Sequence, residues 1–330
     1  GESSAASLFE VRYAARKEGG ARGAPAKAQC GAVVLATGSA SHALAAPLGH
    51  DISPLIPSLF ALRLAPGGML DASLAGLSVA DAELRLEQAL PPCGDDGPEA
   101  QAQAMPKKKK KKKGKLVAEQ RGPLLVTHRG LSGPAMLKLS AFGAEYLASQ
   151  GYKGHLTLNL CPDLAPAEVQ AELRAFKTGF ARLKQVGNVS PFPLPKRLWR
   201  AVVAGTATGE PAAENGVDPA QRWESLSNVE LAAIERRLCR AELPFAGKDA
   251  NKEEFVTCGG IRLREVHMGK MESKVTPRLH FAGEVLDVDG ITGGHNFQSC
   301  WTTGHIAGTA AAEGGLEVRR LLVTTIASGS

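Results

Sequence analysis

Leu279-His-Phe-Ala-Gly-Glu-Val-Leu-Asp-Val-Asp-Gly-Ile-Thr-Gly-Gly-His-Asn-Phe-Gln298 runs a strand, an acid and a glycine-rich turn into a helix, and that order decides the fold. Leu279 to Ala282 is a short apolar run of the kind that fills a buried parallel strand. Gly283-Glu284 ends it where the backbone must pass close to a neighbour. Gly290, Gly293 and Gly294 then give a turn with little side-chain bulk, and Asn296 is placed to cap the helix that follows. Further on, Gly304, Ala307, Gly308 and Ala311 form a small-residue stripe at helical spacing, which predicts a helix lying very close to a sheet.

Each part of this stretch has a chemical use. A carboxylate at a strand end accepts hydrogen bonds from sugar hydroxyls. A helix start is a positive pole whose free N–H groups stabilise negative charge, including charge developing on the pyrimidine edge of a reduced flavin. Ala32-Val-Val-Leu-Ala-Thr-Gly38 is a second buried strand ending in a small polar turn. Alone it reads as any parallel core strand; paired with the distal stretch it points to a nucleotide cofactor.

Ala36-Thr-Gly38, Thr127-His-Arg-Gly-Leu-Ser-Gly-Pro134, Phe255-Val-Thr-Cys-Gly-Gly260, Met271-Glu-Ser-Lys274 and Phe281 to Gly294 together resemble the aminoacetone-oxidase and bile-acid-dehydroxylation group of NAD(P)/FAD-dependent oxidoreductases. The resemblance runs from about Phe9 to Ala312 and is closest to the plant-type branch. It implies an α/β fold, a Rossmann-like FAD-binding domain of the two-dinucleotide-binding type with β-barrel-like and small helical modules inserted. The implied cofactor is FAD, with NAD(P)H as a possible electron donor and a small-molecule substrate.

Members of that group open with a G-x-G-x-x-G turn for the FAD pyrophosphate. No such turn occurs in this sequence, and Phe9-Glu-Val-Arg-Tyr13 already reads as a strand from the middle of the fold. The expectation is therefore a FAD-binding domain lacking its amino-terminal portion. The implied layout is a first FAD-binding part at 1–46 and a β-rich module at 47–161 with a disordered Lys-rich loop at 92–115. A helical cap follows at 162–239, return strands at 240–261, a second FAD-binding part at 262–315 and a tail at 316–330.

The implied cofactor residues are Ala36, Thr37 and Gly38 from one strand end and Gly283, Glu284, Asp289, Gly290, Gly293, Gly294, Asn296 and Phe297 from the other. Glu284 would bind the ribityl chain, while Gly293, Gly294, Asn296 and Phe297 would face the flavin ring. His128 and His295 are the candidate proton donors or acceptors, set against a packing role for each. Asp287 and Asp289 by default fix the turn through backbone hydrogen bonds.

The net charge of +6 raises nucleic acid as a partner. Its source argues against that: without the seven lysines Lys107 to Lys113, 32 Lys and Arg face 33 Asp and Glu, a balance of −1. The run itself reads as a solvated loop, with a localisation or polyanion role as the alternative. No apolar stretch is long enough to span a bilayer. The expected setting is soluble and intracellular, in the cytoplasm or in an organelle such as the chloroplast.

Six cysteines show neither C-x-x-C spacing nor a metal-ligand pattern, so no metal is expected and a reducing compartment fits. Leu77 and Val79, Leu84 and Leu86, and Leu156, Leu158 and Leu160 alternate as half-buried antiparallel strands do. Val169, Leu173, Phe176, Phe180 and Leu183 follow helical spacing, and Ser227-Asn-Val-Glu230 is a capping box before Leu231, Ile234 and Leu238. Ser132 fails the G-x-S-x-G pattern and is expected to cap the helix starting near Pro134.

Overall fold

A computed structural model describes residues 8–16, 22–88, 115–212, 214–249 and 256–328. The Lys107 to Lys113 run lies outside them. In chain order the strands are β1 (Phe9–Arg16), β2 (Arg22–Cys30), β3 (Val33–Leu35), β4 (Ile56–Ser58), β5 (Leu62–Leu64), β6 (Ser78–Glu87) and β7 (Leu116–Val126). There follow β8 (Gly130–Ser132), β9 (Gly154–Asn159), β10 (Ala241–Lys248), β11 (Val256–Cys258), β12 (Val266–His267), β13 (Glu272–Ser273) and β14 (Leu279–Phe281). The helices are α1 (His42–Ala45), α2 (Pro134–Phe142), α3 (Ala144–Ser149), α4 (Pro166–Thr178), α5 (Lys196–Ala204), α6 (Asn228–Cys239) and α7 (Gly293–Ser328).

The chain divides into two units, one made of Gly1–Pro57 with Val256–Ser330, the other of Ser58–Phe255. The first thus reaches past the expected borders at 46 and 262. Each unit has its own apolar core, one around Leu35, Ile261, Phe281 and Val285, the other around the barrel strands and their helices.

In the second unit, β10, β5, β8, β7, β6 and β9 close a barrel in that order. Alternation explains it: Val79, Leu84, Leu86, Leu156, Leu158, Leu243 and Phe245 are all buried. The apolar phase switches from odd to even between Val79 and Ala82, and there the β6–β7 register shifts, since an extra residue turns the following side chains to the other face. The Ser227 box forms as expected, with Glu230 N donating to Ser227 Oγ at 3.2 Å and Ser227 N to Glu230 Oε2 at 2.6 Å. Behind it Leu231, Ile234 and Leu238 are buried.

Three local expectations need correction. α4 ends at Thr178, so Phe180 and Leu183 stand exposed although their spacing is helical. Ser132 belongs to β8 and does not cap α2; Gly133 precedes that helix, with Pro134 at its first position where a missing N–H costs nothing. α7 continues as helix through Ser328, across the stretch expected as a tail.

In the first unit, β12, β13, β14 and β3 form a four-stranded sheet in that order, with β14 and β3 parallel. α7 lies along it. Asn296, Thr303, Ala307 and Val318 are buried at helical spacing, but Gly308 of the small-residue stripe is exposed. The close approach falls elsewhere: a Cβ on Gly31, just before β3, would sit 3.2 Å from Gly315 Cα.

Candidate functional site

Leu279, His280 and Phe281 pair in parallel with Val33, Val34 and Leu35, and Ala282 N donates to Leu35 O at 3.1 Å. The two strands therefore end side by side. One continues into Ala36, Thr37 and Gly38, the other into Gly283 and Glu284, so chain segments some 250 positions apart in sequence meet at one sheet edge. Burial of Leu35, Leu279 and Phe281 in one core sets this pairing.

Side chains lock the two turns together. Thr37 N donates to Ser41 Oγ at 3.1 Å, and the Thr37 and Ser41 hydroxyls are 2.6 Å apart. His42 Nε2 donates to Val285 O at 2.9 Å, leaving its buried Nδ1 without a partner. Gly283 N donates to Thr303 Oγ1 at 2.9 Å, and that hydroxyl donates to Ser299 O at 2.7 Å. This threonine helps fasten α7 to the second turn. Gly283 has φ +74°, a left-handed backbone that favours glycine.

Asn296 does not cap α7. Thr292 does: its Oγ1 accepts from His295 N and its carbonyl from Asn296 N, both at 3.3 Å. Asn296 is 7% exposed and spends its amide on Gly290, accepting from Gly290 N at 2.6 Å and donating to Gly290 O at 3.3 Å. Its side chain is therefore committed to the turn, not turned outward to a ring. The His295 ring closes on the same glycine, since a Cβ on Gly290 would fall 2.3 Å from His295 Nδ1.

What faces outward is different. A Cβ on Gly38, Gly293 or Gly294 would meet no atom within 4 Å. The half-buried Glu284 carboxylate takes no ion pair or side-chain hydrogen bond from another side chain among the described residues. Its charge, after burial, raises the Cys300 thiol. Gly293 and Gly294 begin α7, where N–H groups have no intrahelical acceptor. Phe297 and Trp301, one turn apart, stack at 6.2 Å and are 64% and 67% exposed. Trp301 was missed in the sequence, though an aromatic four residues after Phe297 was the available signal.

Asp287 accepts from the Ser53 hydroxyl at 2.6 Å, a side-chain partner in place of the backbone hydrogen bonds expected, while Asp289 is half-buried beside it. His128 belongs to the barrel unit, exposed on the β7–β8 turn that Thr127 Oγ1 holds by accepting from Arg129 N and Gly130 N. Cys258 is half-buried in β11.

A parallel strand pair whose ends carry glycine turns, with a long helix starting beside them, defines a Rossmann-type nucleotide-binding protein carrying an inserted barrel. The chain belongs to the HI0933-like protein Rossmann domain family, whose profile matches residues 14–310, a family of flavoprotein oxidoreductases.

Among curated relatives it is 27% identical over 282 residues to a 3-dehydro-bile acid delta(4,6)-reductase of Clostridium scindens, covering 84% of this chain and 59% of that protein. It is 30% identical over 185 residues to a ribosomal RNA dihydrouridine synthase of Escherichia coli, covering 56% of this chain and 40% of that protein. The Haemophilus influenzae protein of the same name is 28% identical over 184 residues, with 55% and 40% covered. The chain thus spans about half the length of these relatives. No helix among the described residues is long and apolar enough to cross a membrane.

Proposed function

We propose that this chain holds the flavin end of FAD at the paired ends of β3 and β14 and serves a FAD-dependent oxidoreductase of the aminoacetone-oxidase type, plant-type branch. One observation carries the proposal: Ala282 N donates to Leu35 O, which sets the open Gly38 turn beside Glu284 at one sheet edge. When bound, FAD supplies the ring that takes up a hydride or electron pair, from NAD(P)H or from the substrate itself. The residues present fit that end of the cofactor.

Glu284 accepts hydrogen bonds from ribityl hydroxyls. Thr37 and Gly38 admit the nucleotide closely because no side chain stands over them. Gly293 and Gly294 offer their amide N–H groups to the pyrimidine edge at the positive end of a 36-residue helix. Phe297 and Trp301 give an apolar wall on one side, and His295, in the first turn of the same helix, is a titratable group able to carry a proton. Asn296 and Asp289 act behind these, in the turn.

The names of the relatives bring two substrate classes to this chain, a bile acid and ribosomal RNA. A small molecule is favoured, because the charge outside the Lys107 to Lys113 run balances at −1. Deleting the run should abolish retention on a polyanion resin while leaving flavin binding intact.

The test of the cofactor is spectroscopic. The chain is mixed with FAD, desalted, and its visible spectrum recorded beside that of Glu284→Gln. Retained oxidised-flavin bands that fall at least tenfold in the variant support the proposal. A folded, colourless protein in both cases favours a second reading, a non-catalytic scaffold of the flavoprotein fold.

A further inference from the structure

Glu214-Asn-Gly-Val217 is a motif that the cofactor site leaves unused. Of the six asparagines in the chain, Asn215 is the one followed by glycine. It stands exposed in the turn that follows α5, with φ +58°, a left-handed backbone that asparagine tolerates better than most residues. Among the described residues its side-chain amide takes no hydrogen bond, so it is free to swing onto the next peptide.

Gly216 completes the chemistry. Without a Cβ, its nitrogen is open to the carbon of the preceding side-chain amide. Asn188 and Asn228 are exposed too, but valine follows each, and its branched side chain crowds the nitrogen. The Asp289-Gly290 pair shows a second form of protection: Gly290 N is buried and committed to Asn296 Oδ1 at 2.6 Å. Among the described residues Gly216 N has no acceptor.

The turn is pinned by one guanidinium. Arg237 of α6 donates from Nη1 to Asn215 O at 2.9 Å, from Nη2 to Val203 O at 2.8 Å and from Nε to Val202 O at 2.5 Å, so Asn215 and the last turn of α5 share a clasp. Val217 N closes it by donating to Val203 O at 3.2 Å. Between them Gly216 has no spare room, since a Cβ on it would fall 2.1 Å from Ala212 N.

We propose that Asn215 is a self-modification site that remodels this clasp as the protein ages. Gly216 N bonds to the side-chain carbonyl carbon of Asn215 and ammonia leaves, closing a five-membered imide. Water then opens the ring at either carbonyl, giving aspartate, or isoaspartate when the bond from nitrogen to the main-chain carbonyl breaks. One water is consumed and one ammonia released, with no oxidant and no cofactor. In the isoaspartate form the main chain runs through the former side chain and is one carbon longer. The carbonyl that Arg237 holds becomes a carboxylate, a counter-ion that Arg237 lacks among the described residues, and Val217 is pushed out of register with Val203.

The test incubates the full chain in mildly alkaline buffer and follows its tryptic peptides by mass spectrometry, with an isoaspartyl methyltransferase and S-adenosylmethionine as the probe of the product. The peptide carrying Asn215 should gain the mass of an amide-to-acid exchange at least tenfold faster than those carrying Asn188 or Asn228, where valine crowds the nitrogen. Most of the product should accept a methyl group. Ammonia release should fall to background in Asn215→Gly, which keeps φ +58° without strain and has no amide to lose. As a second readout, hydrogen exchange at Val217 N should quicken at least tenfold in aged wild type and stay unchanged in aged Asn215→Gly. An Asn215 that lasts as long as Asn188 and Asn228, a product that no methyl group enters, or a Val217 amide unmoved by ageing overturns the proposal. None of these outcomes depends on whether flavin binds.

Discussion

Asn296 and Gly290 hold each other by two hydrogen bonds, Gly290 N to Asn296 Oδ1 at 2.6 Å and Asn296 Nδ2 to Gly290 O at 3.3 Å. The side chain does for the turn what a second strand would do, satisfying both backbone groups of a buried glycine. Removing it in Asn296→Ala leaves two buried polar groups unpaired, a loss of about 1–3 kcal/mol. Asn296→Asp keeps the shorter bond and places its charge in the first turn of α7, where the helix dipole favours it. Denaturant midpoints should rank wild type above the aspartate and the aspartate above the alanine; an alanine variant as stable as wild type would show the clamp to be idle.

Two sets of glycines should respond with opposite signs. Gly283 has φ +74°, and a Cβ there would lie 3.1 Å from Cys300 Sγ. Gly283→Ala should therefore cost about 1–2 kcal/mol from backbone strain alone, and adding Cys300→Ala should restore only the contact part. At Gly304 and Gly308 a Cβ meets nothing within 4 Å, so each Gly→Ala change should stabilise α7 by up to about 1 kcal/mol. Thermal melts of the four variants decide it, and destabilisation at Gly304 or Gly308 would mean that those positions are covered in solution.

Much of this was legible because it rests on periodicity. The apolar runs at Val33 and Leu279 gave the parallel pair, and alternation gave the barrel strands. What failed depends on which partner a side chain finds. An asparagine before a helix turn has the same chemistry whether it accepts from its own helix or from Gly290, and Thr292, four residues earlier, had the equal claim that won. Phe180 and Leu183 kept helical spacing although the chain leaves the helix at Gly179, where ψ is −148°. The small-residue stripe marked α7 correctly but not the face it buries, because Gly31 and Gly315 meet through tertiary contact alone.

Ser273, His50 and Glu265 line up like a hydrolase triad, with Ser273 Oγ 2.9 Å from His50 Nε2 and His50 Nδ1 3.1 Å from Glu265 Oε2. The geometry is that of a staple. Ser273 Oγ also accepts from Val275 N at 3.0 Å and Thr276 N at 2.7 Å, and the residue is 3% exposed, so its lone pairs are taken and no substrate reaches it. A fluorophosphonate probe should leave Ser273 unlabelled. Ser273→Ala should destabilise the first unit by about 2–3 kcal/mol, since two backbone donors lose their acceptor; labelling of Ser273, or a neutral alanine variant, would contradict this.

Cys161 and Cys239 should be the quiet thiols of the barrel unit. Burial pushes Cys161 up to about 11. Cys239 is pushed up to about 12, by burial first and then by the Glu235 charge and by Cys161. At pH 8 both stay protonated, so iodoacetamide should label them slowly in the folded chain and quickly in denaturant, because only the thiolate reacts. The same shifts bear on stability. Each folded value lies above the ordinary 9.0, so the thiols' contribution is whole below pH 9 and is lost as pH rises through about 11 and about 12. Denaturant midpoints measured from pH 8 to pH 11 should fall more steeply for the wild type than for Cys161→Ala/Cys239→Ala. Parallel profiles for the two proteins, together with fast labelling at pH 8, would show that neither thiol is shielded.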